Sequence, residues 1–422
     1  PNAHGELRPA SGINKELQRI RGLAILMVLI GHMPVAVPPF LMHGYTGVTM
    51  FFVISGYVAT LSFYHTYPKY ASSGKWQYIV DTYLNKFFRV IMVILAAVFI
   101  YGGIALILHF FGIGYGDKTR WKNELLWLFS GAYNYLFSLS GLSGLFGHFW
   151  SLYVELHFYL IFPFFMCFIK KDRMKMAVCI AIIILVSTVG RALTPEVNIG
   201  MFTHTQIDAI FVGVLIGIFF QTNGRHQISC NPSANPMLIG LKKRICHWEN
   251  SKAKQSQKAD NHTFLRFFMN AVTLILVVSL LLLPYFWDGG IVPNMIKYPV
   301  FVLLSGLLIV IAVQQKGYVF GKVSSKNILG RFLEYIGNRS YSIYIIHIIL
   351  YSGIYANILY SNEKLSVYLS QINGIGTLLH IAVLYVLAIV GGEIFYQLVE
   401  KPYSQYGRSL ISKRGKRTNE KS

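Results

Sequence analysis

Charge is scarce in this chain of 422 residues: 13% are Asp, Glu, Lys or Arg, whereas 54% are hydrophobic. Soluble domains of similar size carry about 25% charged residues, so an aqueous globular fold is excluded, in line with a mean hydropathy of +0.49. Acidic residues are rarer still, 17 against 38 basic ones, for a formal net charge of +21. Cysteine is almost missing. The four present, Cys167, Cys179, Cys230 and Cys246, form no CxxC pair, which excludes a disulfide framework and a thiolate zinc site. No internal repeat is visible. A charged n-region with a short apolar core and a small-residue cleavage site is also missing, so the first apolar run is expected to be kept as a span.

What is present is apolar length. Runs able to cross about 30 Å of hydrocarbon lie at 18–37, 45–66, 88–112, 149–169, 175–193, 204–220, 267–287, 297–315, 335–357 and 376–398. The chain reads as an all-α polytopic integral membrane protein with about ten transmembrane helices. The stretch 121–137 is interrupted by Lys122, Asn123, Glu124, Gly131 and Asn134, and is expected to be interfacial or re-entrant. With the N-terminus cytoplasmic, the basic residues Arg8, Lys15, Arg19, Lys69, Lys75, Lys170, Lys171, Arg173, Lys175, Lys316, Lys322, Lys326 and Arg331 all fall inside. Making 121–137 a span would move the later clusters outside, against the positive-inside rule. Dispersal over membrane-flanking loops also accounts for the positive charge without nucleic acid, whose recognition calls for one basic surface.

One membrane domain is expected over 14–403, with a hydrophilic insert at 221–266 and a basic, disordered tail over 404–422. The insert is rich in Ser, Asn, Lys and Gln, which reads as a solvated linker. Insert, tail and both termini are placed in the cytoplasm by the same charge rule.

Within the first run, RGLAILMVLIGHM, Arg21 and His32 stand eleven residues apart. At about 100° per residue they return to one helix face, separated by about 16 Å of rise. An ionisable group in hydrocarbon costs about 2.5–3.5 kcal/mol by insertion scales, so this face looks into protein or water. Arg21 alone could serve as a topology determinant, and His32 alone could make an interhelical hydrogen bond. Glu155 and His347, in HFWSLYVELHFYLIFP and SYSIYIIHIIL, lie at a similar expected depth in the outer half of their own spans. Three such groups at one level point to a shared polar cavity in which a carboxylate orients an imidazole for general-base work. Gly47, Ser55 and Gly56 suit either close helix packing or a pore lining. Phe149, Trp150, Phe158 and Tyr159 are expected in the core or the interfacial belt. Glu393 and Glu400 are expected to partner bases on the cytoplasmic side.

Five segments together resemble the acyltransferase-3 family of integral-membrane acyltransferases: LQRIRGLAILMVLIGHM with its Arg, ten residues, His pattern, GVTMFFVISGYV, FWSLYVELHFYLIFP, IGNRSYSIYIIHI and the closing VEKP. The resemblance runs from about 14 to 403. Three departures stand out. Leu156 replaces the family's second acidic residue, the proline usual after the basic pair Lys86 and Arg89 is missing, and Gln206 stands where many members carry arginine, although Asp208 is kept.

The resemblance implies an O-acyltransferase of the bacterial inner membrane. It would move an acyl group, most often acetyl from cytoplasmic acetyl-CoA, onto a hydroxyl of an envelope or exported polysaccharide. No permanently bound cofactor and no metal are expected; acyl-CoA is a substrate, and a glycan or lipid-linked sugar is the acceptor. Arg21, Lys86 and Arg89 would bind the donor's phosphates. His32 would act as general base or through an acyl-histidine, Glu155 would orient its ring, and Asp208 and His347 would meet substrate. A glycolipid or acyl-lipid transporter or flippase is the competing reading. It would more typically show repeated halves with interrupted helices, and neither is found in the sequence.

Overall fold

The computed structural model describes residues 14–35, 37–111, 118–140, 146–195, 200–229, 259–287, 293–314, 327–356 and 375–419. Regular structure among the described residues is helical throughout. The elements are α1 (Lys15–Ile30), α2 (Tyr45–Thr66), α3 (Gly74–Lys86), α4 (Met92–Phe110), α5 (Lys118–Phe129), α6 (Tyr133–Ser140), α7 (Trp150–Phe168), α8 (Asp172–Leu185), α9 (Thr203–Ser229), α10 (Ala259–Trp287), α11 (Asn294–Gln314), α12 (Ile328–Ile348), α13 (Ile375–Phe395) and α14 (Lys401–Asn419). π-helical segments follow α3 (Phe87–Ile91), α8 (Val186–Gly190), α12 (Ile349–Ala356) and α13 (Tyr396–Glu400). The protein is an all-α polytopic membrane protein.

Eight helical stretches are long and apolar enough to cross a membrane among the described residues. The expected runs 18–37 and 335–357 fall short for different reasons. The 16 residues of α1 rise only about 24 Å. α12 carries Arg331, Glu334 and Arg339 along its length. These two helices pack on each other at backbone distance: a side chain at Gly22 would meet the Leu333 carbonyl, and one at Gly337 would meet the Gln18 carbonyl. Arg19, 4% exposed, ties the same pair through Glu16 at 2.5 Å and Glu334 at 3.4 Å, and its Nε donates to the Gly330 carbonyl at 3.2 Å. Helices enclosed by protein do not need a full hydrocarbon length.

The segment at 121–137 forms two short helices, α5 and α6, parted at Gly131, whose φ of 76° lies in the left-handed region that glycine tolerates best. At 12 and 8 residues, neither can span hydrocarbon. Glu124 is buried and accepts from the Phe146 amide at 3.1 Å and the Tyr133 hydroxyl at 3.5 Å. The core of the insert, 230–258, lies outside the described residues. The tail departs from expectation: the last apolar helix runs on through the π segment Tyr396–Glu400 into α14, a helical stretch of 40 residues over Gly376–Gly415, so 404–419 is helical instead of disordered.

Candidate active site

α2, α3, α7, α12 and α14 together wall a cavity of about 370 Å³. Its polar lining begins with Arg21 on α1, Lys86 at the end of α3, Arg89 in the π segment after it, and Arg408 on α14. Insertions of this kind recur at functional sites because they re-aim a side chain without ending the helix. None of these four cations has an ion-pair partner among the described residues. Arg21 Nε is buried without a hydrogen-bond partner, and Lys86 Nζ stands 3.4 Å from the centroid of the Tyr159 ring. Glu155 is in the same wall, accepting from Ser55 Oγ at 2.7 Å.

The far end of the cavity is lined by Ser151 and Tyr344. The Tyr344 hydroxyl donates to the His148 carbonyl at 2.6 Å and lies 2.6 Å from Ser151 Oγ. Behind this pair stands a row of three imidazoles: His148 and His347 have ring centroids 5.0 Å apart, and His347 and His32 are 5.1 Å apart. His148 and His347 are buried, whereas His32 is exposed. Each ring is tied to a backbone carbonyl: His32 Nδ1 to Val28 at 2.8 Å, His347 Nδ1 to Tyr344 at 2.6 Å, and His148 Nε2 to Ile345 at 3.1 Å. A carbonyl oxygen only accepts, so in the neutral rings these nitrogens carry the hydrogen. The remaining lone pairs are Nε2 of His32, Nε2 of His347 and Nδ1 of His148, and the last two have no partner.

The structure therefore gathers Arg21, Lys86, Arg89 and Glu155 in one wall, and His32 and His347 in one row. It does not join Glu155 to His32, whose Nδ1 is oriented by Val28 O. His32 itself lies just past α1, in the turn after the Gly31 cap, instead of deep within the apolar run. The level of His347 is met on the neighbouring segment by His148, seven residues before Glu155, about two helical turns away. His148 is thus the site residue that sequence reasoning missed, although it opens the quoted HFWS segment. Arg408 was missed with it, hidden in the supposed tail.

Asp208 does not line this cavity. It forms a buried ion pair with Arg191 at 2.8 Å, with side chains 1% and 0% exposed, and accepts from Ser187 Oγ at 3.1 Å. Glu393 pairs with Arg339 at 2.6 Å. Glu400 accepts from Ser342 Oγ at 2.5 Å. Of the small residues in α2, Ser55 lines the cavity, while Gly47 packs against the Ala24 carbonyl and Gly56 against the Ile210 carbonyl. Phe149 and Phe158 are core.

A cavity wall of cations without ion-pair partners, leading to imidazoles with uncommitted lone pairs, is the arrangement expected of an enzyme that holds an anionic donor and moves a proton. The sequence profile of the acyltransferase-3 family, described as an acyltransferase domain, matches residues 14–396, and the chain belongs to that family of membrane proteins. Among curated proteins it is similar to three from Staphylococcus aureus strains COL, MSSA476 and MRSA252, each named "Putative O-acetyltransferase". Each is 22% identical over 420 residues, covering 94% of this chain and 58% of the relative. The chain thus spans well under two thirds of those proteins' length. No solved structure matches it.

Proposed function

We propose that this protein is a membrane O-acyltransferase that takes an acyl group, acetyl in the first instance, from cytoplasmic acetyl-CoA and esterifies a hydroxyl of an envelope or exported polysaccharide in a bacterial inner membrane. The observation that carries this reading is the single cavity with unpaired Arg21, Lys86 and Arg89 in its wall and the imidazole row behind its far end. Guanidinium and ammonium groups without carboxylate partners suit the donor's phosphates. Glu155, set among them, tempers their mutual repulsion and leaves the orientation of His32 to Val28.

His32 Nε2 takes the proton from the acceptor hydroxyl as its oxygen bonds to the thioester carbonyl carbon. Collapse of the tetrahedral adduct breaks the C–S bond, and the departing thiolate recovers the proton from the imidazolium. His347 and His148 continue the row toward Ser151 and Tyr344, between the acceptor's proton and the donor's sulfur. His347 accordingly belongs to the reacting end.

The test is transfer in a reconstituted assay with labelled acetyl-CoA and envelope glycan, followed by mass spectrometry for one new ester. Absence of any ester from the wild-type protein across glycan classes would overturn the reading. A label that stays on the protein through rapid denaturation at neutral pH, is released by acid or hydroxylamine, and is lost in His32→Ala would replace direct transfer with an acyl-histidine route. Orientation is tested separately: a cysteine introduced near Lys254 should resist impermeant reagents in spheroplasts, and labelling there would reverse the cytoplasmic assignment.

A further inference from the structure

Beyond the last apolar stretch the chain does not leave the protein. α14 folds across the basic end of the bundle, against α3 and the π segment that carries Arg89. Three contacts fix its position. Gly407 sits directly on Phe88, so that a Cβ there would come within 2.8 Å of the Phe88 Cβ. Phe88 and Tyr406 meet edge to face with centroids 5.2 Å apart. Arg414 lies 3.8 Å from Asp81, a buried carboxylate also held by Gln77 and Tyr70.

One turn before Ile411, Arg408 lines the cavity together with Asp81, Thr82 and Asn85. It is exposed and has no ion-pair partner among the described residues. The neighbouring carboxylate, Asp81, is already engaged by Gln77, Tyr70 and Arg414. Arg408 thus presents an uncommitted guanidinium at the end of the cavity farthest from Ser151 and Tyr344.

We propose that α14 is part of the donor site, and that Arg408 binds phosphate oxygens at the nucleotide end of the acyl-CoA. This rests on the acyl-CoA reading above and extends it. A thioester brought past Ser151 and Tyr344 to the imidazole row puts the pantetheine arm along the cavity and the phosphorylated adenosine at its basic end. There a planar guanidinium offers paired N–H donors matched to phosphate oxygens. Arg408 selects donors that carry phosphates over those that carry only the thioester arm.

The experiment compares acetyl-CoA with acetyl-pantetheine, which has the same thioester and arm but no phosphate, in the full-length reconstituted protein. Arg408→Ala should reduce the preference for acetyl-CoA, the ratio of the two kcat/KM values, by about 10-fold or more, chiefly through the KM for acetyl-CoA. Arg408→Lys should recover part of it. Adenosine 3′,5′-bisphosphate should compete with acetyl-CoA in the wild type and lose potency in Arg408→Ala by a similar factor. An unchanged preference ratio, whether both donors are affected equally or neither is, would overturn the proposal while leaving the acyl-CoA reading intact. A wild-type protein that uses acetyl-pantetheine as well as acetyl-CoA would overturn it too. Failure of the wild type with both donors would instead remove the acyl-CoA reading, and this proposal with it.

Discussion

At its basic end the cavity is walled by Arg21, Lys86, Arg89 and Arg408 with no ion-pair partners among the described residues, whereas behind its far end His148, His347 and His32 are each held by a backbone carbonyl. Elsewhere the protein neutralises its inner arginines thoroughly: Arg19 with Glu16 and Glu334, Arg191 with Asp208, Arg339 with Glu393. Unpaired charge at one place is therefore a local feature, and it suits an anion from outside. At the imidazole end the backbone fixes each tautomer without supplying a formal charge, so the free nitrogens keep their lone pairs for an incoming proton. In the proposed function, one end recognises the donor and the other reacts.

The contrast is broken most visibly at His32. His32→Gln keeps size and polarity without a comparably basic nitrogen, and should lower ester transfer by about 10²- to 10⁴-fold while donor affinity stays at the wild-type value. Near-normal rates in the folded variant would remove the reacting end from the scheme. Asp208→Asn probes the opposite case, a paired charge away from the cavity. Arg191 would be left buried without its counter-ion, at a cost of about 3–5 kcal/mol, read as a lower unfolding temperature in detergent. A selective loss of substrate affinity with no loss of stability would show that Asp208 serves substrate after all.

Arg21→Ala should weaken acetyl-CoA binding by about 10- to 100-fold, the 1.5–3 kcal/mol of a hydrogen bond to a charged group, with kcat at saturating donor little changed. If affinity holds, Arg21 returns to topology duty. The smallest effect is expected at Ser55, whose hydroxyl is the hydrogen-bond donor to Glu155. Ser55→Ala should cost about 1 kcal/mol, seen as a several-fold rise in KM for the donor and no shift in stability beyond that amount. A fall in kcat alone would move Glu155 from the recognising wall to the reacting one.

Much of this was legible in the sequence. Apolar length and charge dispersal gave an all-helical membrane protein, and Arg21, Lys86 and Arg89, grouped through the family resemblance, do line one cavity. His32 and His347 were paired correctly by depth. Glu155 was set one level too far out, because depth counting along separate helices carries an error of about a turn and says nothing of rotation. His148 meets His347 across a contact 197 residues apart, between His148 and Ile345, and no local period records such a pairing. Arg408 escaped because a basic, polar sequence after the last span reads as solvated tail. Only the packing of Gly407 on Phe88 and the Arg414–Asp81 contact show that it is held against the bundle.

The crossing of α2 and α9 has a mechanical consequence. A Cβ at Gly56 would strike the Ile210 carbonyl, one at Gly213 the Val53 carbonyl, and one at Gly217 would come within 2.7 Å of Thr60. Two rods in contact through their main chains have no flexible side chains between them to yield, so they translate and tilt as a single beam. The wall of the cavity contributed by α2 inherits that stiffness. Across from it, α14 rests on the π segment after α3 through Gly407 on Phe88 and reaches α3 through Arg414, 44% exposed in its ion pair with the buried Asp81. The beam acts as the fixed jaw of the cavity.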